Sequence, residues 1–159
     1  MSDAQAMTVW KAGKFVERDF DLVPVDDYVT SGRPASAVPK LLAGEGVDVL
    51  IDAVEGDLSS LAAIALDFPS FADGRSYSKA QLLRSEHAYQ GELIAVGDVL
   101  PDQVALMLRV GFDVLEATHP VTRTRLAEAG HETTLHTQIA GTSSVKETSG
   151  ERFSWRRTA

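Results

Sequence analysis

Ile64-Ala65-Leu66-Asp67-Phe68-Pro69-Ser70-Phe71-Ala72-Asp73-Gly74-Arg75-Ser76-Tyr77-Ser78 is the stretch whose reading decides the fold. It opens on an apolar run and ends on residues that suit a helix start. The Phe68-Pro69 pair favours an extended approach, because the residue before proline avoids the α region. Residues 64–68 therefore read as a strand that hands over to a helix near Tyr77. Leu58 to Leu66 also fits a single helix, and that alternative stays open.

Working outward, the same punctuation recurs. Tyr77 to His87 has helical spacing at Ala80, Leu83 and His87, with Ser76 or Ser78 as cap. Gly91 ends it. Leu93-Ile94-Ala95-Val96 is the clearest strand, a buried run between glycines. Pro101 to Val110 suits a helix: proline fits its first turn, Asp102 its positive end, and Val104, Met107 and Leu108 form an apolar stripe. Gly111 supplies a left-handed stop. Phe112 to Glu116 reads as a strand and Thr122 to Ala129 as a last helix. Upstream, Val47 to Ile51 reads as a strand, with Asp57 capping a short helix after it.

About four strand–helix units thus lie between residues 47 and 130. Such alternation predicts an α/β protein with a parallel sheet and right-handed crossovers. Four units are too few for an eight-stranded barrel, so the expected sheet is open or half-barrel-like. Residues 8–20 read as an N-terminal β-hairpin turning at Lys11-Ala12-Gly13-Lys14, available to cover a sheet edge. Val23 to Pro39 reads as loop, and residues 1–7 as an unstructured start. The expected organisation is one α/β domain over 1–130 and a flexible C-terminal tail over 131–159. That tail could dock through Phe153 and Trp155.

Composition narrows the function classes. The chain has 159 residues and no cysteine. Without cysteine there is no disulfide, thiol nucleophile, thiolate zinc site or cysteine-bound iron–sulfur cluster. Any redox role needs a bound cofactor, whose identity the sequence leaves unknown, or a partner that carries one. The net charge of −8 argues against nucleic acid, which needs a basic face. Arg152, Arg156 and Arg157 make the tail locally basic. No apolar run approaches a membrane span, and residues 1–7 lack a secretory pattern, so a cytoplasmic protein is expected. Gly44-Glu45-Gly46 precedes an expected strand, whereas a dinucleotide loop must follow one. The serines lack a nucleophile elbow, and the four histidines show no zinc spacing, so no metal site is assigned.

Parallel strands gather their C-terminal ends on one rim, where ligands bind in α/β proteins. That rim is expected to collect Asp52, Asp67, Asp73, Arg75, Asp98 and Glu116. Carboxylates can hold magnesium or move protons, and an arginine fork can grip an oxyanion. The candidate ligand-binding residues are Asp73, Arg75, Tyr77, Asp98 and Gln103, supported by Asp67, Phe71, Gly74, Ser78 and Gly97. Catalytic residues stay unassigned. The plainer alternative is that Asp73-Gly74 is a turn pair and Arg75 neutralises Asp67 or Asp98.

Residues 67–78, Leu82-Leu83-Arg84, residues 91–100, Asp102-Gln103 and Arg109-Val110-Gly111-Phe112-Asp113 together resemble a bacterial family catalogued as a domain of unknown function. Its members are often labelled oxidoreductases of sulfite reduction and are encoded near sulfite reductase. The resemblance covers about residues 47–118 and draws Arg84, Asp102 and Arg109 into consideration. It implies an accessory role in assimilatory sulfite reduction, binding a small anion or a redox partner at the rim. That partner would be sulfite reductase or another sulfur-assimilation enzyme. The alternatives are a small enzyme using rim carboxylates, with or without Mg²⁺, and a structural or regulatory homodimer. A dimer would show as an aromatic patch of Phe68, Phe71 and Tyr77.

Overall fold

The computed structural model describes residues 5–128, with side chains from Met7 onward. Six strands close into a barrel in chain order. They are β1 (Gln5–Lys11), β2 (Lys14–Pro24), β3 (Ala37–Leu41), β4 (Ala63–Phe68), β5 (Glu92–Gly97) and β6 (Val114–Glu116). The helices are α1 (Val25–Thr30), α2 (Val47–Ala53), α3 (Arg75–Ser85), α4 (Val104–Val110) and α5 (Pro120–Glu128). Single 3₁₀ turns occupy Leu58–Ser60 and Pro101–Gln103.

The α/β class, the mostly parallel sheet and the hairpin agree with the sequence. β2 through β6 run parallel, and β1 is antiparallel to both β2 and β6. The hairpin turn has Ala12 at φ 49° and Gly13 at φ 83°, the paired positive angles that match strand twist in a two-residue turn. It covers more than one edge. Because β1 bonds to β6 as well as β2, the expected open sheet is closed. β1 begins at Gln5, so residues 5–7 are strand rather than an unstructured start.

Two further expectations fail upstream of β4. Residues 47–51 are helix, not strand. Val47, Leu50 and Ala53 are buried at helical spacing, Gly46 precedes them in extended conformation, and Asp48 sits in the positive first turn. A five-residue apolar run rich in valine does not separate a strand from a buried helical turn by periodicity. The expected loop over 23–39 in fact carries α1 and most of β3. Pro39 lies inside β3, just before the Lys40↔Ala65 and Leu41↔Leu66 pairs with β4. The ladder to β4 thus starts where the missing N–H no longer interrupts it. The helical alternative for 58–66 is limited to the turn at Leu58–Ser60, which Asp57 caps through Ser59 N–H (3.1 Å) as expected.

Strand alternation divides the core in two. Met7, Val9, Phe20, Ala63, Ala65, Ile94, Val96 and Val114 fill the barrel. Ile64, Leu66, Phe68, Leu93 and Leu115 face outward into the helical layer, with Leu50, Leu83 and Met107. The lumen is packed side chains rather than a channel. Ion pairs stop both mouths: Glu92, in register with Ile94 and Val96, takes Lys11 and Arg18, and Asp67, in register with Ala65, takes Lys40 at 3.0 Å.

Candidate functional site

The strand C-terminal rim is built by the loops after β3, β4, β5 and β6. The β4–α3 loop contributes most. Gly74, not Ser76 or Ser78, precedes the first turn of α3, which starts at Arg75. Ser76 is buried and donates from Oγ to the Asp67 carbonyl at 2.6 Å, tying the helix start to the strand end. Ser78 is exposed.

Asp73 and Arg75 form a two-point pair: Nε to Oδ1 at 2.9 Å and Nη2 to Oδ2 at 2.5 Å. Arg75 therefore neutralises Asp73, and neither Asp67 nor Asp98. Asp67 is paired with Lys40 instead. The hydrogen bonds from the Arg75 side chain and backbone hold the Asp73 carboxyl down at about 2. The Arg75 side chain stays 61% exposed, so its outer edge faces solvent.

Asp98 and Gln103 share one task. The Asp98 carboxylate accepts the Phe71 backbone N–H at 2.9 Å, and the Gln103 side-chain amide donates to the Phe71 carbonyl at 2.8 Å. The backbone of Phe71 is pinned on both sides from the β5–α4 segment. Its side chain is nonetheless 62% exposed. Gly97 makes the approach possible. It has φ +100°, and a Cβ there would lie 2.4 Å from the Phe68 carbonyl oxygen. Its N–H donates to Glu116 Oε2 at 2.6 Å, and Asp98 N–H donates to the Phe68 carbonyl at 2.8 Å.

Tyr77 turns toward the core. Its ring meets the buried Phe68 edge-on at 5.1 Å, and its buried hydroxyl has no hydrogen-bond partner. Burial, with Asp102 nearby, raises its pKa, which opposes a proton-transfer role. The aromatic patch expected of a dimer does not form, because Phe68 is buried and Tyr77 half-buried, leaving Phe71 alone. Asp52 lies in the last turn of α2, away from the strand ends.

Sequence reasoning missed Lys79. It is buried on α3, and its ammonium donates to the Leu42 and Ala43 carbonyls at 2.6 and 2.9 Å. Burial lowers its pKa, and the neighbouring Arg75 charge adds to that. Its position one turn after Arg75 was the available signal. Lys79 fixes the β3–α2 loop, where Leu42 is exposed as Phe71 is.

Chemically, the rim is a set of separate local devices. Among the described residues, no group of three or more histidine, aspartate and glutamate side chains is placed to hold a metal ion. A cavity of about 540 Å³ lies at the opposite end, beside Asp57, Leu61, His87 and Tyr89, before β4 and β5 begin. Arg84 also belongs to that end: Nε and Nη2 bond to the Gly111 carbonyl, Nη1 to those of Tyr89 and Gly91, and Nη2 to Asp113. Among the described residues, no helix is long and apolar enough to cross a membrane.

A family model described as a bacterial protein of unknown function (DUF934) matches residues 46–145, and the chain belongs to that family. Searches of curated proteins and of solved structures returned no match.

Proposed function

We propose that this member of the DUF934 family serves assimilatory sulfite reduction as an accessory protein, docking a redox partner through the strand-end rim. The observation that carries the docking reading is Phe71. An aromatic side chain is left in solvent while its backbone is fixed by a hydrogen bond donated to Asp98 and one accepted from Gln103. A fixed aromatic suits protein recognition, because little freedom is lost when a partner covers it. Leu42, also exposed, and Val121, 53% exposed, extend the apolar positions around the same end. The sulfite connection rests on the family resemblance of residues 47–118.

Charge favours a protein partner over a small anion. Asp26, Asp27, Asp48 and Asp102 stand exposed at helix starts on this end, against exposed guanidinium groups at Arg75 and Arg123. A free anion would meet net repulsion, whereas a basic protein surface would be steered in. The scattered carboxylates give the magnesium enzyme reading no converging ligand set.

The test is co-purification of the tagged full chain with sulfite reductase, together with growth of a deletion strain. Retention of sulfite reductase, its loss in Phe71→Ser, and poor growth of the deletion strain on sulfite are expected. Normal sulfite-dependent growth with no retained enzyme refutes the reading.

A further inference from the structure

We infer that the rim has an occupant within this same chain, the segment Arg152-Phe153-Ser154-Trp155-Arg156-Arg157. It lies outside the described residues, and its chemistry is the complement of the rim. The rim offers fixed, exposed Phe71, exposed Val121, and exposed Asp102 next in sequence to the Gln103 that binds Phe71. Thr122, next to Val121, donates to the Val99 carbonyl at 2.8 Å, which holds α5 against the β5–α4 segment. The segment offers two aromatics among three arginines, in a chain whose net charge is −8 even with those arginines counted. Guanidinium groups pair with carboxylates and stack on aromatic rings, so both halves of the rim are addressed.

Reach allows it. α5 starts at the rim with Pro120 and has nine residues, so Glu128 is no more than about 13 Å from the rim along the helix. The 23 residues from 129 to 151 are long enough for that span, since an extended chain reaches about 3.3 Å per residue. Tethering then supplies an effective concentration near millimolar, enough for a contact that is weak between separate molecules. Held there, the segment covers the surface that a partner needs, and a basic partner displaces it by competition. The inference rests on the rim being a docking surface, and not on sulfite reductase being the partner.

The absence of cysteine permits a clean experiment on the full chain. A nitroxide on Ser149→Cys is expected to broaden the amide signals of Phe71, Gln103 and Val121 in ¹⁵N spectra at low salt. Phe71→Ser, and separately the triple change Arg152→Glu, Arg156→Glu and Arg157→Glu, should each abolish that broadening, as should ~0.5 M salt, which screens charges beyond a few ångströms. A spectrum with no broadening at the rim overturns the inference. So does broadening that appears equally when labelled chain is mixed with unlabelled ¹⁵N chain, which assigns the contact to a second copy. Broadening that survives Phe71→Ser also overturns it. Failure of sulfite reductase to co-purify moves none of these spectra, so the two readings fall separately.

Discussion

The two ends of the barrel use the same residue types to opposite purpose. At the strand N-terminal end, Arg84 is 5% exposed and spends its guanidinium on three carbonyls and Asp113. At the C-terminal end, Arg75 binds only Asp73 and leaves 61% of its side chain in water. One arginine joins the turns before β5 and β6 into a unit. The other shapes a loop and remains available. Removing a buried, multiply bonded charge strands the partners it satisfied, whereas removing an exposed one leaves them to water.

The sharpest way to break this contrast is to truncate both arginines. Arg84→Ala leaves three carbonyls and a carboxylate without their donor, and a loss of roughly 3–5 kcal/mol is expected in denaturant unfolding. Arg75→Ala should leave the unfolding midpoint near that of the wild type. A comparable loss in both variants would erase the distinction. Gly97→Val ranks next, at about 3 kcal/mol, because it combines a positive φ with a Cβ inside contact distance of the Phe68 carbonyl. Unlike Arg84, this position lies at the strand C-terminal end, so a large loss here would mark the scaffold beneath Phe71 as rigid.

Smaller effects refine the comparison. Asp98→Ala removes one clamp on Phe71 and should cost about 1 kcal/mol. Faster hydrogen exchange at the Phe71 amide, with the Arg84 region unchanged, is the signature; unchanged exchange would show that Asp98 does not hold the loop. The smallest effect is electrostatic. Asp73 is held at about 2, below its ordinary 3.8, by Arg75. Its contribution to stability is present above the unfolded value and is lost as pH falls from about 4 through 2. In Arg75→Ala, which keeps the backbone N–H bonded to Asp73, carboxyl NMR should show Asp73 rising part of the way toward 3.8, and that part of the acid dependence should shrink.

Downstream of residue 57, the alternation was legible because each element is bounded by its own local signal. Gly91 and Gly97 flank β5, Gly111 takes φ 114° after α4, and Asp57 caps its turn. Upstream, the determinants are tertiary. Nothing local in Val47–Ala53 outweighs its valine content; burial of one helical face against the barrel does. Closure was equally invisible, since pairing Val9 with Glu116 joins residues far apart in sequence. The residue types at the β4–α3 turn pointed to the strand C-terminal rim, and that turn does lie there. The partners did not follow from sequence, because Asp98 and Gln103 recognise the Phe71 backbone and not a side chain whose identity could be read.

That closing seam between β1 and β6 also dictates an order of events in folding. Contacts along β4, α3 and β5 are local in sequence, whereas the seam must wait until nearly the whole described chain is in place. Its loop-closure entropy comes due last and is rewarded by a ladder of only three residue pairs. Substitutions that weaken only the β1–β6 seam should therefore accelerate unfolding while leaving the refolding rate almost unchanged.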